Sequence, residues 1–127
     1  MSWWSRSHWG EKQNTVTGAA NGASAKLFDA IDGFTRTVID DVLFSMNSTA
    51  TGAGANFIQF YNGDPSGSGT PLGPAVAVST GGNGSRCIWV RDIGLRFNRN
   101  TEVWVFFTMT NITNCDVFVN AHDERGK

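Results

Sequence analysis

The stretch Asn56–Val78, NFIQFYNGDPSGSGTPLGPAVAV, decides the fold of this 127-residue chain. Phe57, Ile58, Phe60 and Tyr61 form an apolar run interrupted only by Gln59. A run that short and that aromatic suits a pleated, half-buried surface better than a helix. Gly63, Pro65, Gly67, Gly69, Pro71, Gly73 and Pro74 follow in quick succession, and all 3 prolines of the chain lie among them. Proline removes a backbone donor and glycine admits positive φ, so the segment turns and cannot be helical. Ala75–Val78 resumes an extended run. The reading is strand, tight loop, strand, and the chain downstream repeats that grammar.

Working outward, Phe34–Asn47 (FTRTVIDDVLFSMN) reads as strand. Val42, Phe44 and Met46 share one face, and Asp40-Asp41 forms a turn or bulge. Cys87–Val90 and Ile93–Phe97 are further extended runs. Glu102–Thr110 (EVWVFFTMT) has the strongest strand pattern. Val103, Val105, Phe107 and Met109 lie on one side, and Trp104, Phe106 and Thr108 on the other. Aromatics on both sides imply a strand covered twice, by an opposing sheet and by a partner or another part of the chain. Cys115, Val117 and Val119 alternate along the last run. Seven to nine short strands with turn signals every 8–12 residues predict an all-β antiparallel sandwich or jelly roll.

The flanks read differently. Met1–Asn14 is an aromatic, polar arm holding Trp3, Trp4 and Trp9 beside Arg6 and His8. Burying three indoles removes about 450–750 Å² from water, roughly 11–19 kcal/mol gross. Ordering ten residues costs on the order of 10–20 kcal/mol, so the arm needs a preformed groove. Two settings stay open, a tuck onto its own domain and docking on a neighbour. Thr15–Ser24 reads as a linker, and Ala25–Asp32 as either a short helix capped by Ser24 or a strand, with the helix preferred. The expected organisation is an arm and linker over residues 1–30, a sandwich over 31–121 and a charged tail over 122–127.

Composition narrows the function. Net charge is −1, which gives no case for nucleic acid or an anionic membrane. Fifteen glycines and 40% hydrophobic residues suit a turn-rich β domain. No apolar run approaches a membrane span, and the opening residues lack a signal-peptide core, so synthesis in a cytoplasm is expected. No cofactor motif or nucleophile elbow is present, and the glycine-rich run after Val78 lacks a phosphate-loop lysine. His8 and His122 fall in the arm and the tail, poor places for a general base. An enzyme is therefore not expected. Two free buried thiols are the preferred reading of Cys87 and Cys115. A bridge between them would be feasible if their strands were neighbours. Arg91, Arg96 and Arg99 mark either a protein interface or a solvated sheet edge, with Asp92-Ile93-Gly94-Leu95 as a hairpin turn between the first two.

The segment FIQFYNGDPSGSGTPLGPAVAV, the later run IGLRFNRNTEVWVFFT and the closing DVFVNA together resemble small virion structural proteins of tailed bacteriophages. The resemblance spans roughly residues 34–120. It departs where Arg99-Asn100 stands in place of an expected turn glycine, and residues 1–30 have no counterpart. It implies a β-sandwich head-decoration (cement) protein, oligomeric and in trimers above all, bound to the major capsid protein, with no catalytic residues. Trp3, Trp4, Arg6 and Trp9, with Arg91, Arg96 and Arg99, are the expected partner-binding residues. Two rival readings are a neck, tail or fibre-attachment component and a carbohydrate-binding sandwich using Trp89, Trp104 or Tyr61.

Overall fold

A computed structural model describes residues 11–48, 56–77, 84–110 and 112–125. The described strands are β1 (Glu11–Ala19), β2 (Ser24–Phe28), β3 (Thr35–Ser48), β4 (Phe57–Asn62), β5 (Thr70–Ala77), β6 (Gly84–Val90), β7 (Leu95–Arg96), β8 (Val103–Thr108) and β9 (Ile112–Arg125). They form two antiparallel sheets. The larger has the order β1-β9-β3-β6, with β7 also pairing β3, and the smaller has the order β2-β8-β4-β5.

Alternation builds the core. Val42, Phe44 and Met46 of β3 point inward with Cys115, Val117, Val119 and Ala121 of β9. They meet Ile58 and Phe60 of β4 and Val103, Val105 and Phe107 of β8. Phe97 closes one end, edge-on to Phe60 with ring centroids 6.3 Å apart. The paired aspartates fall at a bulge, where the β3–β9 register shifts between Ile39 and Asp41.

The Asn56–Val78 stretch is a hairpin within the described residues. β4 pairs antiparallel with β5, and the register shifts between Ile58 and Phe60. β5 starts at Thr70, so Pro71, Gly73 and Pro74 belong to a strand rather than to the turn. They are tolerated because β5 ends the strand order of its sheet. Gln59 spans the irregularity, its Nε2 donating to the carbonyls of Leu72 (3.2 Å) and Gly73 (2.6 Å). In the turn, the Gly69 amide donates to Asp64 O at 2.9 Å. A Cβ on Gly69 would lie 2.5 Å from both Asp64 O and Gly63 O. These are backbone atoms that cannot step aside, so Gly69→Ala should cost about 2–4 kcal/mol, read as a lowered denaturation midpoint. Gly67→Ala, with its nearest atom at 3.8 Å, is the control and should cost little.

Three sequence expectations are corrected. Residues 15–24 are not a linker, since Glu11–Ala19 pairs along β9 from Glu11↔His122 to Ala19↔Cys115. Residues 24–28 form a strand, not a helix, paired with β8. The charged tail is also strand: Thr35↔Arg125, Arg36↔Glu124 and Thr37↔Asp123 carry β9 to Arg125. The two-sheet body therefore takes in residues 11–28 and 122–125. The arm's three tryptophans lie outside the described residues.

Lys12 shows why the sequence pattern of these segments conceals their strands. It faces inward, where its Nζ donates to Thr37 Oγ1 at 2.7 Å and pairs with Asp123 Oδ1 at 2.6 Å. Its ammonium also sits 4.6 Å from the Phe28 ring centroid. Asn14, also inward, donates from Nδ2 to Leu27 O at 2.7 Å. Polar side chains matched one to one replace the apolar alternation that marks a strand in sequence.

Candidate interaction surfaces

Two outward faces carry aromatic side chains. On the smaller sheet, β4 and β8 bury every second residue, which leaves Phe57, Gln59 and Tyr61 beside Trp104, Phe106 and Thr108 on the outer side, all half-buried. Tyr61 sits directly opposite Trp104, and Gln59 opposite Phe106. The Tyr61 and Phe106 rings meet edge-on at 6.3 Å. Four aromatics thus cover one face, where a solvated sheet would present polar residues.

Charged groups border this face. The Trp104 indole Nε1 donates to Glu102 Oε1 at 2.9 Å, which fixes the ring. Lys26, opposite Trp104 on β2, pairs with Asp29 at 2.6 Å and with Glu102 at 3.7 Å. The Lys26–Asp29 hydrogen bond and charge attraction raise the lysine pKa and lower that of Asp29.

On the larger sheet, a row runs across the strands as Thr15, Phe118, Leu43 and Trp89. Phe118 and Leu43 are half-buried, and Trp89 is 60% exposed. The Arg91 guanidinium lies 4.7 Å from the Trp89 ring centroid, a cation–π contact at an open site. Ile31 and Phe34, in the β2–β3 connection, are 44% and 63% exposed.

The three arginines singled out from sequence share one edge. Residues 90–100 run along β3: Val90 pairs Val42, the Ile93 amide bonds Asp40 O, Arg96 pairs Val38 and the Asn100 amide bonds Thr35 O. Asp92-Ile93-Gly94-Leu95 is therefore not a hairpin turn. β6 and β7 pair with the same strand, joined by a kink with positive φ at Asp92 (54°) and Gly94 (61°). Arg91 is exposed, and Arg99 is half-buried in the turn before β8. Arg96 Nε reaches Glu124 Oε1 at 3.1 Å, and that hydrogen bond holds the Glu124 carboxyl below its ordinary range. Arg96 is thus already engaged within the sheet, and Arg91 is the freer of the two.

The cysteines do not meet. Both thiols are free, Cys87 exposed and Cys115 buried. Cys87 pairs with Ser45 and Cys115 with Met46, so their strands flank β3 on opposite sides. Two strand spacings, about 9–10 Å, exceed the ~7 Å limit for bridged Cα atoms. Burial pushes the Cys115 thiol up to about 11. At pH 8 only about one Cys115 in a thousand is ionised, so a thiol reagent should label one cysteine readily. The second should react roughly a hundredfold more slowly until denaturant is added. Rapid labelling of both in the native protein would contradict this placement.

His122, expected in a mobile tail, is held in β9 with Nδ1 2.7 Å from Asp40 Oδ2. Among the described residues no group of three or more His, Cys, Asp or Glu could hold a metal ion. The sugar-platform candidates separate: Tyr61 and Trp104 share the smaller sheet's outer face, and Trp89 stands on the other sheet. Sequence reasoning found Trp104 and Phe106 on an outer face but missed Phe57 and Tyr61 as their neighbours. Only strand order reveals that.

No protein-family model matches the chain, and no curated protein does. Solved structures of similar shape exist. One, described as Bacillus endospore appendages that form a family of disulfide-linked pili, has a TM-score of 0.40 and 14% identity, covering 92% of this chain and 88% of that one. Another, of infectious bursal disease virus strain Gx, has a TM-score of 0.39 and 16% identity over 93% of this chain. The Gt strain of the same virus gives a TM-score of 0.33 and 11% identity over 88% of this chain. The chain spans 30% of the length of either viral chain.

Proposed function

We propose that this chain is a non-enzymatic structural component of an assembled particle, specifically a capsid decoration (cement) protein of a tailed bacteriophage. It is an oligomer, most simply a trimer, seated on the major capsid protein. Residues 1–10, through Trp3, Trp4, Arg6 and Trp9, supply the grip, and Arg91 on Trp89 supplies a second contact. The observation that carries this reading is the aromatic dress of both outer faces. Aromatic side chains gathered on an outward face favour a contact surface, where such residues are enriched. A stacked arginine–tryptophan pair is likewise interface chemistry.

The body suits the role. Two sheets share one core, and the 14-residue strands β3 and β9 pair along nearly their whole length. Many modest contacts, repeated by symmetry, would hold such a subunit through avidity. The test is an image of the phage head with and without the protein. The expected difference is added mass on the outer surface at the symmetry axes. Mass confined to the neck, tail or fibres would instead make it another virion component, and no added mass would overturn the reading. On a glycan array the isolated protein should show no saturable binding.

A further inference from the structure

We propose that the outer face of the smaller sheet, built from Phe57, Tyr61, Trp104 and Phe106, receives residues 1–10 of a second copy of this chain. The inference rests on the structural role above and says how the tryptophan arm supplies its grip: seated on a sibling's aromatic face, it joins copies in a ring whose repeated contacts hold the capsid by avidity.

Three observations favour this occupant. The first is chemical match. Residues 1–10 hold three tryptophans with Arg6 and His8 and no acidic residue. The face offers four half-buried aromatic rings, and the carboxylates of Asp29 and Glu102 border it beside Lys26. Indoles stacking on rings, with cations beside carboxylates, satisfy both sides.

The second is direction. Glu11 pairs with His122, and β9 continues to Arg125. The strand axis at Glu11 therefore points along the last residues of β9 and off that end of the larger sheet.

The third is length. Ten extended residues span about 33 Å. The face runs from Phe57 to Tyr61 along β4, about 13 Å. The remaining ~20 Å is enough to bridge two bodies in contact. Because arm and face are different surfaces, the contact is head-to-tail and closes into a ring when the rotation permits, as a trimer would.

Complementation tests this. One variant carries Trp3→Ala, Trp4→Ala and Trp9→Ala, keeping its face but losing its arm. The other carries Tyr61→Thr and Trp104→Thr, keeping its arm but losing its face. Threonine suits a strand, and the thermal midpoint reports folding; Phe57→Thr with Phe106→Thr serves if the first pair fails to fold.

In sedimentation velocity the full chain should form closed oligomers, and each variant alone should be monomeric. An equimolar mixture should form 1:1 dimers, doubling the mass, because one arm and one face remain. A mixture that stays monomeric overturns the proposal, as does a face variant that assembles like the parent or a parent that is monomeric throughout. Saturable binding of an oligosaccharide at this face, with assembly unchanged, overturns it in favour of a sugar site. Particle binding separates the two levels. If the arm variant leaves the capsid while the face variant assembles and binds, the exchange fails and the decoration role stands. If the arm variant still binds capsids, the arm's role in decoration fails, whatever the mixture does.

Discussion

Replacing Phe107 by alanine is expected to lower stability by about 3–5 kcal/mol, and replacing its neighbour Phe106 by less than half of that. The two residues are identical in type and adjacent in sequence, and differ only in the side of β8 they occupy. Phe107 is fully buried, opposite Ile58 on β4, and its backbone bonds Gly22 and Ala23 at 2.9 Å each. Alanine there leaves a cavity between two sheets that cannot collapse onto it. Phe106 is half-buried on the outer side, outside the space between the sheets. A domain of this size has about 5–15 kcal/mol in total, so the Phe107 variant should melt roughly 10–20 °C lower. Chemical denaturation of both variants decides it. Equal losses would mean that β8 is not covered from one side by the larger sheet.

The second large effect concerns where the folded body begins. Removing residues 1–10 should leave a body that still unfolds cooperatively, because strand pairing starts at Glu11. Removing residues 1–19 should abolish it. That deletion takes away the partner of β9 from His122 to Cys115 and uncovers the flank of Val117 and Val119. It also removes the Lys12 ammonium from Asp123. Losing one member of such a pair costs more than the pair contributes when intact. Circular dichroism on the two truncations gives the answer. A stable, cooperative 20–127 chain would mean that β1 is an accessory rather than part of the sheet.

These outcomes also show where the fold was legible. β3, β4, β8 and β9 could be read because a buried face leaves an apolar residue at every second position, as in Val103, Val105 and Phe107. β1 could not, because it lies at the end of the sheet's strand order and its inward residues are Lys12, Asn14 and Val16, two of them polar. Residues 122–125 hid for the same reason. Their charges are matched across strands to Lys12, Arg36, Arg96 and Asp40, and the pattern in sequence is that of a solvated tail. The prolines misled in the opposite direction: an end strand tolerates them, so the strand starts earlier than the turn signals imply.

The interaction surfaces were half legible. Trp104 and Phe106 announce an outer aromatic face on one strand, but Tyr61 and Phe57 join them only once β4 is placed beside β8. Likewise Leu43, Phe118 and Trp89 come from three separate runs, and pairing puts them in one row. Whether Cys87 and Cys115 stood on neighbouring strands was left open on the same ground, since alternation cannot tell which strands are neighbours. Local pattern shows which side a residue faces, and strand order shows whom it meets.

The central claim is that a self-sufficient two-sheet body is carried to a larger surface by its first ten residues. Cosedimentation with empty phage heads tests it most directly, using the full chain and the chain lacking residues 1–10 at matched concentrations. The account predicts that the full chain pellets with the heads to saturation, and that the truncated chain stays in the supernatant while still unfolding cooperatively. Equal pelleting of the two would contradict it.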